Sequence, residues 1–171
     1  MLTASRVQPT DSKDGTSAES AAGFELRMNR RSLRVGFEIY VQCFAKTAEL
    51  GLARAVVREH FPVVAEQSEL DYWRVRFDAT NSCDVGVTPL ESDRTRLKSL
   101  YVDRPCAHPD LWSALFFLLQ LGYVVIFWPG GPPVVWNETI AKELPKDVVR
   151  CLGAPRLASS GEDLLRLLNE C

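Results

Sequence analysis

The stretch YVDRPCAHPDLW brings Asp103, Arg104, Cys106, His108 and Asp110 close together in the chain. Cysteine and histidine suggest a nucleophile and its base, a pairing that needs the imidazole within hydrogen-bond reach of the sulfur and a third group to orient the ring. Residues two apart in one loop rarely meet those conditions. Cys106, His108 and Asp110 are also metal-ligand types, but a structural zinc takes four ligands and no second Cys or His cluster supplies the remainder. A simpler arrangement pairs Asp103 with Arg104 or a turn amide and lets His108 and Asp110 satisfy free amides at a helix start. On that basis no catalytic group, metal or cofactor is assigned, and an enzyme built on residues 103–110 stays as the alternative.

The remaining chemistry-bearing residues point to binding rather than catalysis. His60, beside Phe61 and Pro62, suits a helix C-terminus, where the dipole favours an imidazolium. WPGGPP holds two glycines, yet a phosphate loop needs a helix N-terminus after it and usually a Lys with Ser or Thr; prolines and a β-branched pair follow here. RMNRRSLR sets Arg27, Arg30, Arg31 and Arg34 at a hairpin tip, which would let a nucleic-acid-associated regulator contact phosphates. Without interleaved aromatics a solvated tip is the plainer account, so nucleic acid is not the expected partner. Two acidic clusters, Glu66, Glu69 and Asp71, then Glu91 and Asp93, offer electrostatic complementarity to a protein. Trp73, Trp112 and Trp128 belong to apolar elements, whereas Trp136, beside Asn137, is placed nearest the surface, where tryptophan commonly anchors a partner.

These residues must be positioned by a chain of 171 residues, which suits one domain plus a tail. Hydrophobic residues at 46% and charged ones at 25% allow enough apolar burial to offset ordering entropy. A net charge of −2 argues against a protein whose main work is attraction to nucleic acid or anionic lipid. The five cysteines, Cys43, Cys83, Cys106, Cys151 and Cys171, are odd in number and form no CxxC pair, a pattern of reducing compartments, so a cytoplasmic location is expected. Residues 1–22 are small and polar and have no apolar signal region; a disordered tail is expected there, followed by a single domain over 23–171.

Periodicity supplies the elements. Leu33, Val35, Phe37, Ile39, Val41 and Cys43 alternate with polar neighbours, and Phe24, Leu26 and Met28 do the same before NRRS, which predicts a hairpin. TAELGLARAVVREHF recurs at three and four and predicts one amphipathic helix ending before Pro62; EQSELD reads as an acidic connection. YWRVRFD and CDVGVT predict a second hairpin, and TRLKSLYVD a further strand. The end of the chain reads as a short strand at PPVVWN, a helix at LPKDVVRCL, an edge strand at PRLA and a last helix opened by Ser159 or Ser160.

LWSALFFLLQLGYVVIFWPGGPPVV, residues 111–135, carries no charge and raises the question of a membrane span. Pro109 suits a helix's first turn, and at Gly122 helix formers give way to β-branched and aromatic strand formers. A helix of that length reaches about 21 Å, short of the roughly 30 Å hydrocarbon core. No membrane span is therefore expected; the stretch reads as a mid-core helix feeding a central strand, with Ser113 and Gln120 as a thin polar stripe. The resulting class is α+β, a largely antiparallel sheet of about five to six strands with helices packed on a face.

VDRPCAHPDLWSALFFLLQLGYVVIFWPGGPPVV, then ELPKDVV and the Ser-Gly-Glu-Asp start of the last helix, resembles the C-terminal half of small cytosolic bacterial immunity proteins. Those proteins are paired with toxins delivered by type VI secretion or contact-dependent inhibition. The resemblance covers roughly residues 97–170 and implies a non-enzymatic protein that binds a cognate toxin and occludes its active site. Under it, Glu66, Glu69, Asp71, Glu91, Asp93, Asp103, Arg104, His108, Asp110 and Trp136 are the expected partner-binding residues.

Overall fold

The computed structural model describes residues 37–67 and 71–170. The tail, the strand expected at Phe24–Met28, the Arg27–Arg34 tip and Glu69 lie outside the described residues. Elements follow in the order β1 (Glu38–Cys43), α1 (Ala45–Leu50), β2 (Leu52–Ala53), α2 (Arg54–Glu59), β3 (Val63–Gln67), β4 (Tyr72–Arg76), β5 (Ser82–Pro89) and β6 (Arg96–Asp103). Then come α3 (Pro109–Gln120), β7 (Val124–Phe127), β8 (Val134–Val135), α4 (Glu138–Lys142), α5 (Lys146–Leu152), β9 (Arg156–Leu157) and α6 (Gly161–Asn169). The α+β class holds, but the single sheet has nine strands in place of five or six, ordered β3-β4-β5-β6-β1-β7-β8-β9 with β2 beside β6. All pairings are antiparallel except β8 with β9. β8 and β9 fall on the short strand and the edge strand expected at PPVVWN and PRLA, whereas β2, with two residues, is too short to display an alternation.

Two further expectations are corrected. The single helix over 47–61 is broken at Gly51, whose φ of 63° lies in the left-handed region; Leu52 then pairs with Leu97 across β2 and β6. A Cβ at Gly51 would stand 2.9 Å from the Leu97 carbonyl, so the strand contact and the glycine require each other. The acidic connection begins as a strand, since Glu66 and Gln67 pair with Trp73 and Tyr72. β1 pairs with β6 from Glu38 to Gln42 and with β7 from Tyr40 to Cys43, and the partner strand of the expected hairpin lies outside the described residues.

The hydrophobic run reverses direction where Gly122 falls, between α3 and β7. α3 is 12 residues, about 18 Å long, and among the described residues no helix is long and apolar enough to cross a membrane. Leu111, Leu115 and Leu118 are fully buried, but Ser113 and Gln120 are exposed, so α3 covers the sheet as a surface helix and is not mid-core. Its partner is α6, which approaches so closely that a Cβ at Gly161 would meet the α3 backbone, 2.6 Å from the Ser113 amide nitrogen.

Helices occupy both faces of the sheet, not one. Ile39, Val41, Val75, Val85, Leu100, Val102, Val124 and Ile126 join α3 and α6 in one core. On the opposite face Val125, Phe127 and Val135 pack against Ile140 of α4 and Val148 of α5. That second layer serves the β7–β8 end, and the same face of β4, β5, β6 and β1 carries polar and aromatic side chains.

Candidate functional site

Strand alternation decides what this face presents. With Trp73, Val75, Val85, Leu100, Val102, Ile39 and Val41 committed to the core, their neighbours in sequence must point the other way. The register then aligns two rows. Arg74 stands opposite Asp84, Asp84 opposite Asp103, and Asp103 opposite Glu38. Beside that row, Tyr72 faces Gly86, Gly86 faces Tyr101, Tyr101 faces Tyr40, and Tyr40 faces Phe127. Charged and aromatic bands thus run side by side across the centre of the sheet.

Asp84 is the anchor. It is 6% exposed, the one buried charged residue among those described. Arg74 Nε donates to its Oδ1 at 3.1 Å and Arg104 Nη2 to its Oδ2 at 2.9 Å. Burial pushes the carboxyl up, but the Tyr72 and Arg74 hydrogen bonds and the charges of Arg74 and Arg104 outweigh it and hold Asp84 below its ordinary value. Burial and the bond to Asp84 in turn push the Tyr72 phenol up to about 12. The two guanidinium groups stay largely in water, with side chains 57% and 66% exposed.

Arg104 is held in an unfavourable backbone conformation, φ 52°, which a non-glycine residue adopts only where its surroundings impose it. Those surroundings are its amide bond to the Phe37 carbonyl at 3.1 Å and its side-chain bonds to Asp84 and Asp103. Tyr101, 36% exposed, covers Gly86. Tyr40 donates to Glu38 and stacks on Phe127 with centroids 5.4 Å apart. Burial, followed by the nearby carboxylates, raises both Tyr40 and Tyr101 above the usual phenol range.

The residues proposed from sequence fall in three separate places. Glu66, Asp71, Glu91 and Asp93 gather where β4 begins and β5 turns into β6. Arg54 bonds both Glu66 at 2.8 Å and Asp71 at 3.2 Å, Arg58 approaches Glu66, and Arg94 bonds Asp71 at 2.8 Å. Arg54 also lies over the Trp73 ring, and Trp73 Nε1 donates to Glu66. Hydrogen bonding from Arg54 first, then from Trp73, overcomes partial burial and lowers the Glu66 carboxyl. These acids are matched by arginines rather than presented as bare negative charge. Asp93 closes its own turn by accepting from the Thr95 amide and hydroxyl.

At the opposite end of the strands, Asp103 and Arg104 join the Asp84 network, while His108 and Asp110 open α3. His108 Nδ1 accepts from the Asp110 amide at 3.3 Å, its Nε2 lies 3.7 Å from Asp78, and its ring stacks on Phe77. Cys106 contributes its carbonyl to Trp112 Nε1. This is helix-cap geometry. Trp136, 38% exposed, follows β8 on the far side of β1 and β7. Among the described residues no cluster of three or more His, Cys, Asp or Glu side chains is arranged to hold a metal.

Sequence reasoning missed Glu38, Tyr40, Tyr72, Arg74, Asp84 and Tyr101. The usable signal was Asp84 itself, a lone charge in the apolar run CDVGV that demands a partner when buried. Which partner it finds depends on register, and the sequence does not print register. Comparisons with protein families, with curated proteins and with solved structures return no match to this chain.

Proposed function

We propose that this chain is a non-enzymatic binding protein whose open sheet face covers a partner's surface, and that the partner is a toxin neutralised in the manner of cytosolic immunity proteins. The supporting observation is the Asp84 network: a buried carboxylate fixing two exposed arginines beside a row of tyrosines, on the β4-β5-β6-β1 part of a face whose helices α4 and α5 sit at the β7–β8 end. Tyrosine and arginine, with tryptophan, are the side chains enriched among the few residues that carry most of the binding energy in interfaces. Arginines already held by Asp84 lose less freedom on binding than free ones, so less of the contact energy is spent on ordering them. His108 serves as a cap, which leaves Cys106 without an evident base and favours binding over nucleophilic chemistry.

The test is co-expression with the product of the adjacent reading frame. Growth protection and a stoichiometric complex are expected, with Tyr101→Ala weakening the complex by about tenfold or more and Arg58→Ala, at the other end of the strands, leaving it intact. Absence of a complex, or a complex indifferent to Tyr101, rejects the assignment.

A further inference from the structure

The open face is not evenly charged. Asp84, Asp103 and Glu38 stand in register on three adjacent strands, about 4.8 Å apart, where like charges repel. Arg74 and Arg104 answer that repulsion at the β5 end: both bond Asp84, and Arg104 also reaches Asp103. At the β1 end, among the described residues, Glu38 accepts only the neutral Tyr40 hydroxyl and no Lys or Arg pairs with it. The negative charge of the row is therefore concentrated towards Glu38 and the outer side of Asp103.

A second observation lies beside it. Tyr40 and Tyr101 are cross-strand neighbours whose ring centroids are 6.4 Å apart with planes inclined at 39°, and Phe127 backs Tyr40. Ring faces attract a cation within about 6 Å of the centroid. The cation–ring contact found among the described residues is Arg54 over Trp73, elsewhere in the fold. Carboxylates and ring faces at this corner thus favour the same kind of group.

We propose that the corner formed by Glu38, Tyr40, Tyr101 and Asp103 receives a guanidinium or ammonium side chain projecting from the protein partner. This rests on the assignment of the open face as the contact surface and specifies the chemistry of what meets it. Arg74 and Arg76 on β4 repel a cation placed at the other side of the face, so the charge pattern also sets the partner's orientation.

The probe is acetyl-Gly-Arg-Gly-amide, with acetyl-Gly-Glu-Gly-amide as its charge control, titrated into the full chain carrying 13C-labelled tyrosine. Saturable shifts of the Tyr40 and Tyr101 ring resonances are expected with the arginine peptide and not with the glutamate peptide. Glu38→Gln and Asp103→Asn should each weaken that response several-fold, and Glu162→Gln, exposed on α6 on the other face of the sheet, should not. Tyr40→Phe keeps the ring and releases the Glu38 carboxylate, so binding should persist or tighten; this variant keeps the test decisive if Asp103→Asn perturbs folding. No saturable shift, equal shifts with both peptides, or equal loss in Glu162→Gln overturns the proposal. A shift present only after residues 1–36 are removed would mean that the chain's own arginines take the corner, and would also overturn it. Toxin protection that survives a failed titration overturns this inference alone, whereas a successful titration without protection overturns the toxin assignment alone.

Discussion

The ring of Tyr101 occupies the space that a side chain at Gly86 would need: a Cβ there would lie 2.1 Å from the ring. The glycine weakens β5 intrinsically, and the tyrosine from β6 covers the gap. Gly86→Ala should evict the ring. Because a tyrosine ring can rotate away, the expected cost is about 1–3 kcal/mol, the range for overpacking, read as a lower urea midpoint with an unchanged slope. Partner binding should fall along with it, since Tyr101 leaves its row.

Gly161→Ala should cost more. Its Cβ would stand 2.6 Å from the Ser113 amide nitrogen and from the Trp112 carbonyl carbon, both backbone atoms of α3. Backbone cannot rotate aside, so α3 and α6 must separate and lose packing around Leu111, Leu115 and Leu164. Alanine's better helix propensity returns at most about 1 kcal/mol. The expected outcome is a larger fall in thermal midpoint than for Gly86→Ala, with the open face and its binding unchanged. Equal or smaller destabilisation would show that the two helices tolerate a wider spacing.

Where local pattern and global fold agree, the sequence was readable. The strands β1, β4, β5 and β6 follow from alternation, the ends of α3 from Pro109 and the composition change at Gly122, and α6 from Ser160, whose Oγ accepts from the Asp163 amide. Failures occurred where a non-local partner decides. Residues 47–61 have helical periodicity throughout, but Leu52 gains a strand partner in Leu97 and Gly51 supplies the break. The candidate surface was hidden for the same reason: Glu38 and Asp103 lie 65 positions apart in the chain, with Arg74 and Asp84 between them, and only the order β4-β5-β6-β1 makes the four neighbours. Lys98 sharpens the point, because β6 bulges there, pairing Ser99 with Thr88 but Leu97 with Pro89, which keeps Leu97 and Leu100 on the same core.

The cysteines should separate by burial. Cys43 and Cys83 are buried, and desolvation pushes both thiols up to about 12, so almost no thiolate exists near neutrality. Cys151 is exposed. Iodoacetamide at pH 8 followed by peptide mass spectrometry should label Cys151 rapidly and spare Cys43 and Cys83 until denaturant is added. Early labelling of Cys83 would mean that the sheet opens locally around β5.

Asp84 should shape the acid limb of stability. Its carboxyl is held below the unfolded value of about 3.9 by Tyr72, Arg74 and Arg104, despite burial. A depressed native value means that the unfolded chain binds the proton first as pH falls. The contribution of Asp84 is therefore complete above about pH 4 and is lost as pH drops through its native value. Asp84→Asn should flatten that limb and cost about 1–3 kcal/mol at neutral pH, the range for a buried polar group losing its match, tempered by the exposure of both arginines. Tyr72→Phe removes one of the bonds that lower the carboxyl, so its acid limb should begin at a higher pH than in the parent chain. Urea midpoints measured at successive pH values between about 2 and 7, spanning the carboxylate range, distinguish these outcomes; identical limbs in all three chains would place the acid sensitivity elsewhere, with Asp78 the next group to test, since its turn amides and Asn81 hold it far below its ordinary value.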